Sequence, residues 1–225
     1  MILIADSGST KVDWRIITAD KKVYEASTAG INPFYQNVEE IYTEIEHSLA
    51  PQIKAPIQQI YFYGAGCTTS DKTAILTKAF HKSFPKADTE VDSDLLAAAR
   101  ALCGKDAGIA CILGTGMNTC YYDGEKIADH VPPLGYMLGD EGSGAYLGRK
   151  LVVAYLRKSL PNDMVSAFYD EYKTDKAEIL DSVYKQSFPN RYLAKFTRFL
   201  KKYSENNFIK ELVLGGFDDF FVMTV

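Results

Sequence analysis

The chain has 225 residues and a net charge of −4; 47% of its residues are apolar and 24% are charged. This composition is typical of a globular protein and argues against an intrinsically disordered chain. The longest apolar run, Leu151–Leu156, is much shorter than the ~20 residues of a membrane helix, and no basic block indicates nucleic-acid binding. We therefore expect neither a membrane nor a nucleic acid as a partner.

The N-terminal sequence MILIADSGST has no charged leader and no long apolar stretch, which a secretion signal would need. This predicts a cytoplasmic protein. The cysteines lie mostly in apolar stretches and form no CxxC pair; they are Cys67, Cys103, Cys111 and Cys120. Buried, reduced thiols are the expected state for such residues.

The first half of the chain alternates between strand and helix patterns. An apolar run, Met1–Ala5, ends at a polar turn, and the alternating segment Val12–Thr18 and the segment Lys22–Ser27 predict two more strands. Asn37 and Glu40 have the spacing of a helix N-cap and its reciprocal partner. The later predicted elements are a strand at Ile60–Tyr63, a helix at Ser70–Lys82, a strand at Ala87–Val91 and a helix at Asp94–Leu102.

The second half begins by repeating this order. The apolar segment Gly108–Leu113 ends at a glycine turn, and Thr119–Tyr122 and Lys126–His130 predict a hairpin around Asp123-Gly124. We therefore expect two similar α/β domains, residues 1–105 and 106–225. The remaining segments have helical spacing: Ala145–Leu156, Asn162–Tyr172, Lys176–Tyr184, Pro189–Tyr203 and Phe208–Phe221.

Two polar turns follow the first strand of each half. In the first, Gly8 allows close approach of the backbone to a ligand, and the amides and hydroxyls of Ser9 and Thr10 can donate to phosphate oxygens. Asp6, at the end of the strand, is placed to hold a hydrated Mg²⁺. An ordinary polar hairpin would explain this turn alone. The second turn, Gly114-Thr115-Gly116, has the same form, so together the turns predict phosphates held from both sides of a cleft.

The most specific stretch is PPLGYMLGDEGSG, residues 132–144, which has four glycines and two adjacent acids directly before a helix. An ordinary helix N-terminus favours Asp or Ser but does not need so many glycines. The amides at the start of this helix could bind hydroxyls or phosphate oxygens. The stretch therefore predicts a ligand-binding segment.

The ADSGST turn, the LGTGMN turn and the PPLGYMLGDEGSG stretch resemble the N-acetylglucosamine kinase branch of the actin/hexokinase/Hsp70-like superfamily. That branch is grouped with the BadF/BadG/BcrA/BcrD-type ATPases, which activate benzoyl-CoA reductase. The resemblance covers Met1 to about Tyr155. It implies two ribonuclease-H-like α/β domains that close around a cleft on ATP, Mg²⁺ and an amino sugar. The implied reaction transfers the γ-phosphate to a sugar hydroxyl, usually the 6-hydroxyl.

The resemblance also implies roles for individual residues. Asp94 matches the catalytic base. The alternative interpretation is a helix N-cap, a role that Asp94 could also serve, and Asp92 is a rival for the base. Asp6 matches the metal-binding residue. The residues that match the ATP site are Asp6, Gly8, Ser9, Thr10, Lys11, Gly114, Thr115, Gly116 and Asn118. Those that match the sugar site are Asn32, Gly139, Asp140 and Glu141.

Three functions fit this pattern, and an amino-sugar kinase is the first. The second is an activator-type ATPase, a dimer joined by an iron–sulfur cluster on paired exposed cysteines. Cys111 and Cys120 lie in predicted core strands, which argues against it. The third is a non-catalytic sugar-binding protein that keeps the fold. A homodimer is compatible with the pattern.

The end of the chain departs from the family. The resemblance implies a late glycine loop that holds adenosine, and Leu212–Gly216 is superficially similar to it. However, the spacing of Phe208, Leu212 and Phe220 predicts a continuous helix instead. We therefore expect a chain cut short in its second domain, which binds ATP poorly.

Overall fold

A computed structural model describes residues 1–8, 11–64, 66–67 and 69–224. Contacts within the chain divide it into two compact units, Met1–Gly104 and Lys105–Val225, here called the N-terminal unit and the C-terminal unit. The predicted phosphate-binding residues Ser9 and Thr10 lie outside the described residues. Within the described ranges, no helix combines the length and the apolar character needed to cross a membrane.

The N-terminal unit is built on a five-stranded sheet in the order β3-β2-β1-β4-β5. β1 pairs antiparallel with β2, and β2 with β3, whereas β1, β4 and β5 run parallel. The carboxyl ends of these three parallel strands therefore lie at one edge of the sheet. The strands are β1 Ile2–Ser7, β2 Lys11–Ile17, β3 Val23–Ala29, β4 Gln59–Gly64 and β5 Asp88–Asp92.

Among the described residues, three α-helices accompany this sheet. α1, Val38–Glu44, continues through a π-helical turn (residues 45–49) and a 3₁₀ turn (residues 50–52); α2 is Ser70–Ser83 and α3 is Asp94–Cys103. The capping box at the start of α1 is confirmed. The Asn37 side chain accepts from the backbone N–H groups of Glu39 and Glu40, and the Glu40 carboxylate accepts from the Asn37 N–H.

An aromatic cluster forms the centre of the N-terminal core. Trp14, Phe62 and Phe80 are fully buried, and their ring centroids lie 5.3 to 6.1 Å apart. Such aromatic pairs contribute about 0.5–1.5 kcal/mol each beyond the area they bury. The indole Nε1 of Trp14 donates to the Thr28 hydroxyl at 3.0 Å, so its polar group is satisfied inside the core. This packing fixes β2 and β4 against α2.

The C-terminal unit begins with a three-stranded antiparallel sheet in the order β6-β7-β8. Its strands are β6 Gly108–Leu113, β7 Met117–Tyr122 and β8 Ile127–Val131. β6, β7 and β8 therefore repeat the connections of β1, β2 and β3. The repeated strand–turn–strand–hairpin–strand order predicted from the sequence is confirmed.

The rest of the C-terminal unit is helical. The apolar core is formed by side chains of the later helices, with Phe168 at its centre and the rings of Tyr155, Tyr172, Phe196 and Phe199 at centroid distances of 4.3 to 5.5 Å. The helices are α4 Gly135–Leu138, α5 Gly144–Leu156, α6 Asn162–Tyr172, α7 Lys176–Tyr184, α8 Pro189–Ala194, α9 Thr197–Lys202 and α10 Asn207–Thr224.

Two predictions about these helices had different outcomes. The single helix predicted at Pro189–Tyr203 is wrong, because α8 and α9 are separated by a tight turn at Lys195 and Phe196. The Thr197 hydroxyl donates to the Ala194 carbonyl at 2.8 Å and so competes for a helical acceptor. The continuous helix predicted near the end is confirmed, since Gly215 and Gly216 lie inside α10.

Candidate active site

Several acidic residues lie at the carboxyl edge of the N-terminal sheet. In the sheet register Asp6 of β1 lies beside Tyr63 of β4, and Tyr63 lies beside Asp92 of β5. Asp94 follows two residues after Asp92 and begins α3. In open α/β sheets, ligands bind outside the carboxyl ends of parallel strands. Three of the acids named from the sequence therefore meet at the edge where a ligand is expected.

Asp94 is a partly buried carboxylate with a perturbed affinity for protons. Burial raises its pKa, and the negative charge of Asp6 raises it further, whereas a hydrogen bond from the Leu95 N–H at 2.9 Å opposes the shift. The N-cap of α3 is Ser93, whose hydroxyl accepts from the Leu96 N–H. Asp94 is therefore the first residue of the helix, and the N-cap interpretation of Asp94 is wrong.

The loop after β4 lies beside this carboxylate. The Cys67 thiol is buried, and burial raises its pKa to about 12, helped by the negative charges of Asp94 and Asp92. Its N–H donates to the Gly64 carbonyl at 3.2 Å, which closes the loop tightly. The Cys67 thiol is therefore a neutral neighbour of Asp94 and not a nucleophile, since thiolates are the reactive form.

The turn that begins at Asn32 is fixed on the same loop. A β-carbon added at Gly66 would lie 3.0 Å from Asn32 Oδ1, and Gly66 has a φ of +90°. Only glycine allows this close approach in this conformation. The Asn32 Oδ1 accepts from the Phe34 N–H at 2.9 Å, and the Asn32 N–H donates to the Gln36 side chain at 2.7 Å. Asn32 is therefore held rigidly beside the Gly66 loop.

The first turn is described only in part. Asp6 and Gly8 are exposed, and the Gly8 N–H donates to the Lys11 carbonyl at 3.0 Å across the turn. The Lys11 ammonium forms an exposed ion pair with Asp13 at 2.7 Å. Such a pair contributes little to stability, about 0–1 kcal/mol, so a phosphate could readily take over the Lys11 ammonium.

The second turn is supported by the helix that follows the GDEGSG stretch. The first two amides of α5, those of Gly144 and Ala145, donate to the carbonyls of Gly114 and Thr115 at 2.8 and 3.0 Å. Gly114 and Thr115 are exposed, and within the described residues the N–H groups of Thr115 and Gly116 donate to no protein acceptor. These two amides can therefore donate to a ligand.

Asp140 lies directly behind this turn. Its side chain is 5% exposed, and a β-carbon added at Gly116 would lie 2.9 Å from its Oδ2. Burial raises the pKa of Asp140, whereas hydrogen bonds from the backbone of Met117 and Gly135 oppose the shift. The Asp140 carboxylate therefore helps to hold the second turn. This role does not depend on whether the carboxylate also binds a sugar. The other predicted residues nearby are Asn118 next to Met117, and Gly139 and Glu141 beside Asp140.

The expected role of the α5 N-terminus is wrong in one respect. The amides of Gly144 and Ala145 are taken by the second turn, and the Tyr146 N–H donates to the Ser143 hydroxyl, the N-cap, at 3.2 Å. These amides are not available to hydroxyls or phosphate oxygens. The glycines of this stretch also serve packing: Gly142 has a φ of +74°, and a β-carbon there would lie 2.9 Å from the Phe220 β-carbon.

The residues present fit a hydrated Mg²⁺, but not a metal held by protein alone. Within the described ranges, no group of three or more His, Cys, Asp or Glu side chains could hold a metal ion. Mg²⁺ needs only one or two carboxylates when phosphates and water supply its other ligands. The exposed Asp6 carboxylate, whose charge acts on the buried Asp94, is suited to that role.

Comparison with solved structures identifies the family. A protein from Porphyromonas gingivalis, proposed to be an N-acetylglucosamine kinase, is 47% identical over 100% of this chain and 81% of its own, with a TM-score of 0.93. The chain belongs to this family of N-acetylglucosamine kinase-like proteins. No protein-family model matches the chain, and no curated protein is similar to it.

More distant structures share the fold. A protein from Chromobacterium violaceum, also proposed to be an N-acetylglucosamine kinase, is 18% identical over 99% of this chain and 81% of its own, with a TM-score of 0.75. A ROK-family glucokinase from Streptomyces griseus, solved with glucose and AMPPNP, is 14% identical over 97% of this chain and 88% of its own, with a TM-score of 0.50. The predicted α/β fold class is confirmed.

The sequence did not identify every residue near the site. The Gly64 and Gly66 pair is visible in the sequence after an apolar run, but no sequence pattern marks it as part of the site.

The prediction for the cysteines is confirmed only in part. All four cysteines are free thiols. Cys67 and Cys120 are buried as predicted, whereas Cys103 and Cys111 are only partly buried.

Proposed function

We propose that this family member is an ATP-dependent kinase that phosphorylates a hydroxyl of an amino sugar, with N-acetylglucosamine as the first candidate. The observation that carries the proposal is the 47% identity, over the whole chain, to a protein proposed to be an N-acetylglucosamine kinase. The site supports it, because a partly buried carboxylate stands at a strand-to-helix junction beside a second carboxylate. From the resemblance of the ADSGST, LGTGMN and PPLGYMLGDEGSG segments we also propose that the chain belongs with the BadF/BadG/BcrA/BcrD-type ATPases.

Asp94 is the catalytic base in this proposal. A sugar hydroxyl is a poor nucleophile, and a carboxylate that accepts its proton contributes about 10²–10⁴-fold to the rate. Burial and the charge of Asp6 raise the pKa of Asp94, so its carboxylate holds a proton more strongly than an exposed aspartate. Asp92 is the rival base, and its Oδ1 accepts from the Ser93 N–H at 2.7 Å.

The other residues position the reactants. Thr115 and Gly116 offer backbone amides to phosphate oxygens, Gly8 allows close approach of a ligand to the backbone, and Lys11 offers a positive charge. Asn32 binds the sugar, and Asp140 holds the second turn, which binds the nucleotide. Mg²⁺ bound at Asp6 would neutralise phosphate charge. Phosphoryl transfer depends mostly on such positioning and charge stabilisation, so few covalent roles are needed from the protein.

A coupled assay of ADP release tests the proposal. The chain is incubated with MgATP and, in turn, glucosamine, N-acetylglucosamine, N-acetylmuramate and glucose. We expect N-acetylglucosamine to give the highest kcat/KM, and calorimetry to detect its binding even where turnover is slow. ADP release that is independent of any sugar would contradict the kinase proposal and favour an ATPase.

Two alternatives remain open to the same measurements. A non-catalytic sugar-binding protein would bind N-acetylglucosamine without releasing ADP. An activator-type ATPase would need paired, exposed cysteines for an iron–sulfur cluster, yet none of the four free cysteines is fully exposed. An iron assay and an absorption spectrum on anaerobically purified protein would reveal such a cluster.

A further inference from the structure

The turn from Ile31 to Gln36 holds an aromatic side chain at the candidate site. The Ser7 hydroxyl donates to the Ile31 carbonyl at 2.9 Å inside the core, and the Lys72 ammonium donates to the Pro33 carbonyl at 3.1 Å. The N–H groups of Tyr35 and Gln36 both donate to the Asn32 carbonyl at 3.1 Å. The turn is therefore tied to β1 and to α2, and its side chains have fixed positions.

Phe34 is the aromatic residue that this turn presents. Phe34 is 54% exposed. A β-carbon added at Gly66 would lie 2.8 Å from Phe34 Cδ2, so the ring edge rests on the Gly66 backbone. The Lys72 ammonium lies 4.7 Å from the ring centroid. The ring is thus fixed at one edge and covered in part by a cation, while more than half of it stays accessible.

Asn32 places hydrogen-bond donors next to this ring. Its Oδ1 is used by the Phe34 N–H at 2.9 Å, which leaves Nδ2 as the group available to a ligand. Within the described part of the chain no acceptor is bonded to Nδ2. Asn32 Oδ1 and the Phe34 ring edge lie on the same side of Gly66, 3.0 and 2.8 Å from the position that a β-carbon on Gly66 would take. A ligand here meets an amide donor and an apolar ring together.

This pair of groups matches an acetamido substituent. An acetamido group carries a carbonyl oxygen, which accepts a hydrogen bond, and a methyl group, which gains free energy when it leaves water. A protonated amine at the same position would lie near the Lys72 ammonium, and like charges repel. The amide donor, the ring and the cation all favour the acylated form of an amino sugar.

We propose that Phe34 is a specificity-determining residue that packs against the acetamido methyl of the sugar, while Asn32 Nδ2 donates to the acetamido carbonyl. This inference rests on the proposed function and makes it more specific. It explains why the chain keeps a half-exposed phenyl ring beside a positive-φ glycine. The Phe34 ring takes no part in the proton transfer, which belongs to Asp94.

Saturation-transfer difference NMR on the full chain with N-acetylglucosamine tests the contact directly, because it reports which ligand protons touch the protein. In the wild type we expect the acetyl methyl to be among the most strongly saturated protons. In Phe34→Ala, its saturation relative to the anomeric proton should fall at least twofold. Tyr35→Ala is the matched control, since Tyr35 is 82% exposed on the same turn, and it should leave the ratio unchanged.

Calorimetry supplies a second readout. Burial of one methyl group corresponds to about fourfold in affinity. Phe34→Ala should therefore weaken N-acetylglucosamine by about that factor while leaving the affinity for glucose nearly unchanged. Phe34→Leu keeps an apolar side chain and should lose less, which separates lost contact from a misfolded turn.

The possible results distinguish this inference from the proposed function. If the wild type shows no saturation transfer to N-acetylglucosamine, the proposed sugar substrate is wrong, and the proposed role of Phe34 is then wrong as well. If the wild type binds but the methyl ratio is the same in Phe34→Ala, the role of Phe34 is wrong and the proposed function stands. A reduced ratio in both Phe34→Ala and Tyr35→Ala would also overturn the specific role of Phe34.

Discussion

The two glycine turns follow the same strand–turn–strand pattern but receive different support. In the N-terminal unit, β4 and β5 extend the sheet in parallel beyond β1, so the first turn stands at an edge where three strand ends meet. In the C-terminal unit, among the described residues, β6 has β7 as its only strand neighbour. There the second turn is held by the α5 amides and the Asp140 carboxylate.

Because their support differs, we expect the two glycine turns to serve different functions. Added parallel strands bring residues from distant parts of the chain to the first turn, including the carboxylate with the raised pKa, Asp94. The second turn has gained support instead, and its neighbouring carboxylate, Asp140, is engaged in holding it. We therefore expect changes around Asp94 and Asn32 to act on turnover and sugar binding, and changes around Asp140 and the second turn to act on nucleotide use.

The largest expected effect is on turnover. Asp94→Asn should lower kcat by about 10²–10⁴-fold with little change in the KM for sugar, because the base is lost while the binding contacts stay. Steady-state ADP release measures it. Asp92→Asn, two residues away, is the control and should keep most of the activity. If Asp94→Asn retains more than about a tenth of the wild-type kcat, the base lies elsewhere.

Asp140→Ala tests the C-terminal side of the comparison. The backbone groups of Met117 and Gly135 would lose their acceptor, and an unsatisfied buried donor costs about 1–3 kcal/mol. We expect a raised KM for ATP, a smaller change in the KM for sugar and a lower melting temperature. Asp129→Ala removes an exposed carboxylate of β8 and serves as the control. A raised KM for sugar with an unchanged KM for ATP would reverse the assignment.

Gly66→Ala tests how much stability and sugar binding depend on the close approach of Asn32 and Phe34 to the Gly66 backbone. The new β-carbon would meet the Phe34 ring and Asn32 Oδ1, so we expect a loss of about 1–3 kcal/mol in unfolding free energy and weaker sugar binding. Gly104→Ala is a matched control, because Gly104 has a φ of +63° but no atom within 4 Å of the added β-carbon. Equal losses by denaturant unfolding would show that only the backbone conformation matters.

The smallest expected effect concerns stability and pH. The pKa of Asp94 is raised above 3.8 in the folded chain, so its favourable contribution is present below pH ~3.8 and is lost as the pH rises through the folded pKa. Asp94→Asn should therefore melt higher than the wild type at pH 7, by about 2–4 °C for each kcal/mol gained. The difference should shrink towards pH 4. A constant difference across this range would contradict the buried-carboxylate interpretation.

Local patterns were sufficient to predict most of the elements. The bounds of β6, α6 and α7 agree with the prediction, because apolar periodicity and caps depend on neighbouring residues. Asp94 was also found at its strand-to-helix junction. The break between α8 and α9 was not predicted. A threonine in a helix can form several different hydrogen bonds to the backbone, so the sequence does not reveal that the Thr197 hydroxyl donates to the Ala194 carbonyl.

The site was harder to predict where it depends on contacts distant in sequence. The Gly66 loop joins the site only because β4 lies between β1 and β5, which no local pattern reveals. The use of the Gly144 and Ala145 amides by the second turn links residues about 30 positions apart. Counting glycines in GDEGSG suggested a ligand, whereas Gly142 is needed for packing against Phe220.

The hydrogen bonds between α5 and the second turn have a mechanical consequence. Because Gly144 and Ala145 bind the turn directly, the turn is the rigid tip of a 13-residue helix and not an independent loop. Further along α5, Tyr146 donates to the Asp219 carboxylate of α10 at 2.7 Å, and Lys150 pairs with the same carboxylate. A displacement of α10 would therefore reach the Gly114-Thr115-Gly116 turn along a single helix.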